Sequence, residues 1–129
     1  MTSKARYLVA AVGVLHLVFM VAEVGFWTTL VPKLKIYDEA QAAATAAVGK
    51  NMGAYNGIFG LLLLCVAWNA PELGAGPGKA FATWVLVGVF VAGVVGGLTI
   101  KWTIPVFQSV PALIALATLW RASESPKPS

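Results

Sequence analysis

Apolar positions in this chain gather into four long runs, at about 7–31, 51–70, 81–100 and 104–120, with short polar stretches between them. A helix rises about 1.5 Å per residue and the hydrocarbon core of a bilayer is about 30 Å thick, so each run suits one crossing. The first run stops at Val31-Pro32, with Lys33 and Lys35 just beyond. Asp38 and Glu39 then lead into an alanine-rich stretch, 40–47, whose helix propensity predicts a short interfacial helix running towards the second span. Pro71 to Lys79 has the glycine and proline content of a tight surface loop. In the third run Gly88, Ala92 and Gly96 form a four-residue ladder, with Gly93 and Gly97 beside it. Small residues at that spacing let helices approach closely, which makes this run a packing spine and a contact for a homodimer. Pro111 predicts a kink in the fourth run. The expected fold is all-α: a polytopic membrane four-helix bundle with one short interfacial helix between the first and second spans. Residues 1–129 form a single membrane domain, and 121–129 read as a poorly ordered polar tail.

The tryptophans support this map. Trp27, Trp68, Trp84, Trp102 and Trp120 all fall near span ends, where an amphipathic ring favours the membrane–water interface. They divide as Trp27 and Trp102 on one side, with Trp68, Trp84 and Trp120 on the other. Composition agrees: 59% of residues are hydrophobic and 11% charged, where a soluble domain carries about a quarter charged. Net charge is +4, but the basic residues are scattered singly. They make no nucleic-acid surface and serve instead as topology signals and contacts to membrane lipid. Lys4, Arg6, Lys79, Arg121 and Lys127 share one side against Lys33, Lys35, Lys50 and Lys101 on the other, which favours cytoplasmic termini in a cell (inner) membrane. The first run is longer than a secretory h-region and has no small-x-small site before Trp27, so it reads as a retained span. Cys65 is the single cysteine and allows no intrachain disulfide.

Against this apolar background a few polar residues stand out. His16 and Glu23 lie seven apart in the first span, two turns along nearly one face with Met20 between them. An ionisable group at such depth costs at least ~2.5 kcal/mol, so it calls for a partner or a use. Asn51, Tyr55 and Asn56 open the second span, and Gln108 opens the fourth. Counted from the span ends, these groups share one half of the bilayer, with His16 deeper. The expected ligand pocket is therefore His16, Glu23, Asn51, Tyr55, Asn56 and Gln108, with Glu23 and His16 as candidate catalytic residues. One histidine and one carboxylate are too few ligands for a metal, and no phosphate loop or nucleophile elbow is present, so no cofactor is expected.

At these same residues the chain resembles the small integral membrane proteins catalogued as domain of unknown function 1304. His16, Glu23 and Trp27-Thr28-Thr29 match in the first helix. The segment Lys50-Asn51-Met52-Gly53-Ala54-Tyr55-Asn56-Gly57 is similar to that family's Asn-Gln-Gly-x-Tyr-Asn-Gly, and Gln108-Ser109-Val110-Pro111-Ala112 to its Gln-x-x-Pro-Ala. Leu15 stands where the family often has glutamate, and Met52 where it often has glutamine; both changes thin the polar set. The resemblance implies four helices in a bacterial membrane and no established reaction. The reading that follows is binding or transport of a small, partly apolar molecule in an intramembrane polar pocket. Two alternatives stand beside it: a membrane isomerase or hydrolase of lipid-like substrates using Glu23 and His16 as acid and base, and a non-catalytic structural subunit.

Overall fold

The computed structural model describes residues 1–73 and 75–121, and the side chains of all of these but 72, 73 and 75. The polar tail read at 121–129 lies, beyond Arg121, outside the described residues. Helix α1 (Ser3–Lys33) is followed by α2 (Glu39–Ala44), α3 (Ala46–Trp68), α4 (Ala70–Leu73), α5 (Ala75–Thr99), α6 (Ile104–Phe107) and α7 (Ser109–Arg121). No strand occurs among the described residues. Four segments are long and apolar enough to cross a membrane: Ser3–Lys33, Ala46–Trp68, Gly76–Thr99 and Ile104–Arg121. Helix α1 packs along α3 and α5 along α7, and the contacts of α1 with α7 and of α3 with α5 close the ring. The chain thus runs up, down, up and down through a four-helix bundle. Its base holds residues 3–6, 68–73, 75–76 and 121, and its top holds 34–45 and 100–103. Cysteines placed at Gln41 and Gly76, on a Cys65→Ala background, should label from opposite sides of a sealed membrane. Labelling of both by one impermeant maleimide, added from one side, would contradict four spans.

Local signals explain most boundaries. Thr2 caps α1 by accepting from the Ala5 N–H at 3.3 Å. Helix α1 ends in a Schellman turn: the Lys35 N–H donates to the Pro32 carbonyl at 2.9 Å and the Ile36 N–H to Val31 at 3.1 Å. This places Lys35 at a φ of 55°, a conformation that glycine adopts more readily. The expected interfacial helix is α2, started by a capping box in which Asp38 Oδ1 accepts from the Gln41 N–H at 2.7 Å and Gln41 Oε1 from the Asp38 N–H at 3.1 Å. Thr45 alone separates it from α3.

Two boundaries differ from the pattern. Helix α5 starts at Ala75, inside the stretch expected to be a loop, because Pro77 falls in its first turn, where no intrahelical N–H is needed. The fourth span breaks at Gln108 rather than at Pro111. Pro111 has no N–H to offer the Phe107 carbonyl, so the defect appears one turn upstream of the ring.

Glycines set the two tight pairs. On α3, Gly49, Gly53, Gly57 and Gly60 are buried against α1. The Trp27 ring lies on Gly49, Val24 on Gly53, Met20 on Gly57, and Leu17 with the Gly13 backbone on Gly60. On α5, Gly93 receives Ser109, Gly96 receives Ile104 and Gly97 receives Pro105. These three glycines of the spine are filled within the chain. Ala92, by contrast, is exposed, and a β-carbon at Gly88 would meet only Phe59 within 4 Å.

Candidate functional site

The main apolar core cluster occupies the base half of the bundle, while Val31 and Ala42 are buried near the top. Its buried members are Ala5, Val9 and Val12 of α1, Leu63, Val66 and Ala67 of α3, Ala82, Val85, Leu86 and Val89 of α5, and Ala112, Ala115 and Leu119 of α7. Followed towards the top, each inward stripe changes chemistry. On α1 the spacing 5, 9, 12 continues to His16 and Glu23. On α3 the spacing 67, 63 continues through Gly60 to Asn56. On α7 the spacing 119, 115, 112 continues to Gln108, and on α5 it passes into Gly93, Gly96 and Gly97. The top half of the bundle therefore carries Glu23, Asn56 and Gln108 on these stripes, among apolar side chains such as Met20, Val24 and Ile104 that pack on the glycines of α3 and α5.

Two of these polar groups meet. Asn56 Nδ2 donates to Glu23 Oε2 at 2.7 Å, across the α1–α3 interface. The contact exists because Gly53, three residues earlier on α3, removes the side chain that would hold the helices apart: a β-carbon there would lie 3.2 Å from the Glu23 Cβ and 2.6 Å from a Val24 methyl. Both Glu23 and Asn56 are half-buried. Among the described residues no cationic side chain pairs with Glu23. Lys101, which its depth would suit as a counter-charge, instead gives its ammonium to the Leu34 carbonyl at the end of α1, where a cation also suits the helix dipole.

His16 is 1% exposed. Its Nδ1–H donates to the Val12 carbonyl at 2.9 Å, and its ring meets Phe19 edge-on with centroids 5.4 Å apart. It lies about 10 Å along the helix from Glu23, where the apolar core gives way to the polar half. Gln108 is half-buried at the α6–α7 break, with its Cβ against Gly93. Asn51 is exposed, and Tyr55, at 57% exposure, lies on the side of α3 away from the glycine stripe. Of the six pocket residues expected from the sequence, the structure joins Glu23 and Asn56 by a direct bond. It sets His16 and Gln108 on the same inward stripes and turns Asn51 and Tyr55 outward.

Other residues of this region carry weaker signals in the sequence. Trp27, one turn above Glu23, lies at the top end of α1: its Nε1–H donates to Thr45 Oγ1 at 3.1 Å and its ring lies 6.4 Å from that of Tyr37. That bond ties α1 to the α2–α3 junction and roofs the top half. Ser109 Oγ donates to the Phe90 carbonyl at 2.8 Å and locks the start of α7 against α5. The closeness of Gly53 to Asn56 in sequence is the one local hint of the Glu23–Asn56 contact; nothing local marks the other two. No group of three or more potential metal-ligating side chains occurs among the described residues.

The chain belongs to the family described as protein of unknown function (DUF1304), whose family model matches residues 10–120. No curated protein and no solved structure matches it. The match runs from Ala10 in α1 to Trp120 in α7, and so takes in all six of the expected pocket residues.

Proposed function

We propose that this membrane protein binds, and in its full cycle transports, a small and partly apolar molecule in the top half of the bundle. The observation that carries this reading is the Glu23–Asn56 pair, a carboxylate bonded across two spans without a cationic partner among the described residues, above the depth of His16. Structural glue needs one polar group matched by another; it does not account for a third polar group, Gln108, carried by another helix on the same inward stripes. A carboxylate kept at this depth without a cation fits a group awaiting a partner from outside the chain. In this reading the protein sits in a bacterial inner membrane with both termini cytoplasmic, and the site lies in the half of the bundle nearer the other face.

Native mass spectrometry of the chain extracted from its own membrane tests the proposal. The wild-type protein should carry a bound small molecule that Glu23→Gln loses, with the two proteins equal in Tm to within a few degrees. An identical set of adducts on both proteins would leave Glu23 with a structural role only.

A further inference from the structure

The polar pair selects for the head group of its ligand, and resting on the binding reading above, the geometry points to an amphiphile whose head donates hydrogen bonds, a primary ammonium on an apolar tail. Asn56 gives one of its two amide N–H groups to Glu23 Oε2. That orientation is required, since an amide oxygen turned to a carboxylate would set acceptor against acceptor. Asn56 Oδ1 and Glu23 Oε1 are then left with no hydrogen-bond partner among the described residues, and both belong to half-buried residues. Two acceptors on one hydrogen-bonded pair, one of them a carboxyl oxygen, ask for a donor, and a cationic donor makes the shorter, stronger bond. The nearest candidates by depth are spent elsewhere: Lys101 is engaged at Leu34 and the His16 Nδ1–H at Val12. A primary ammonium has three N–H groups and can serve both oxygens at once. A quaternary ammonium brings the same charge and no donor, and an anionic head meets only repulsion. On either side of the pair Val24 packs on Gly53 and Met20 on Gly57, so its immediate surroundings are apolar and suit a head group that carries an apolar tail.

The test uses octylamine and octyltrimethylammonium, matched in charge and chain length, titrated into the full chain in a nonionic detergent, with binding read from the rise in Tm. Octylamine should half-saturate at a concentration at least tenfold below that of octyltrimethylammonium. Glu23→Gln should weaken octylamine at least tenfold, and Asn56→Ser, which keeps a small polar side chain if the first variant folds poorly, should narrow the difference between the two amines. Equal half-saturation by both amines, abolished by Glu23→Gln, would overturn donor selection and leave the pocket standing as a site for any apolar cation. No Tm response to either would overturn donor selection as well, and would count against the pocket itself.

Discussion

Replacing Gly60 with leucine should separate α1 from α3 and lower the unfolding free energy by about 3 kcal/mol or more, the upper end of overpacking costs, seen as a fall of roughly 10 °C in Tm. The reason lies in what the new side chain would meet. A β-carbon at Gly60 falls 2.8 Å from the Gly13 carbonyl oxygen and 2.9 Å from a Leu17 methyl. The converse holds for Gly13, whose β-carbon would lie 3.0 Å from the Gly60 carbonyl. Backbone faces backbone at this crossing, so no rotamer change relieves the clash and the helices must move apart. Three and four residues along α3 towards the top the consequence spreads: Met20 leaves Gly57, and Glu23 moves out of reach of Asn56. Gly25 provides the control, since a β-carbon there meets nothing within 4 Å, and Gly25→Leu should change Tm by no more than a few degrees. Thermal melts of the three proteins in one detergent decide the matter. Equal Tm for Gly60→Leu and the wild type would mean that α1 and α3 do not cross at these glycines in the membrane protein.

Much of this architecture is legible in the sequence because a bilayer restricts the choices. A run of about 20 apolar residues has few structures open to it other than a helix, since its backbone groups find no partner in lipid; four runs and a capped alanine-rich segment therefore set the element order. Depth is legible too, because residues counted from a span end convert to distance, and this puts Glu23 and Asn56 at one level. Partner choice is not. The ladder on the third span stands out as the packing spine, and Gly93, Gly96 and Gly97 do sit under Ser109, Ile104 and Pro105. The glycines of α3 make a second, longer seam with α1, and nothing in their spacing says that Trp27, Val24, Met20 and Leu17 will lie on them. Tyr55 shows the limit from the other side. It shares its depth with Asn56 but stands one residue, about 100°, around the helix, and that rotation carries it off the interface. The habits of its residue type place Trp27 near a span end, but its bond to Thr45 has no signal in the sequence, because Thr45 has none of its own.

The Glu23–Asn56 bond should show a coupling of opposite sign to the cost of its parts. Asn56→Leu leaves a half-buried carboxylate with no donor, and Glu23→Met leaves the Asn56 amide with no acceptor; each should cost about 1–3 kcal/mol, the penalty for stranding one partner of a hydrogen bond to a charged group. The double variant removes both polar groups together and puts two aliphatic side chains of similar length into an interface already apolar on both sides, against Met20 and Val24. Its stability should return to within about 1 kcal/mol of the wild type, because replacing both partners by apolar groups is close to neutral. A double-mutant cycle by denaturant unfolding in mixed micelles measures this directly, with the two singles and the double run under one set of conditions. If the two costs simply add, the bond does not form in the folded membrane protein and the site loses its centre. If the double variant recovers its stability but takes up no octylamine, stability and binding have been separated at one pair of residues. Glue would require the opposite, a pair whose removal weakens the fold and changes nothing that the protein binds.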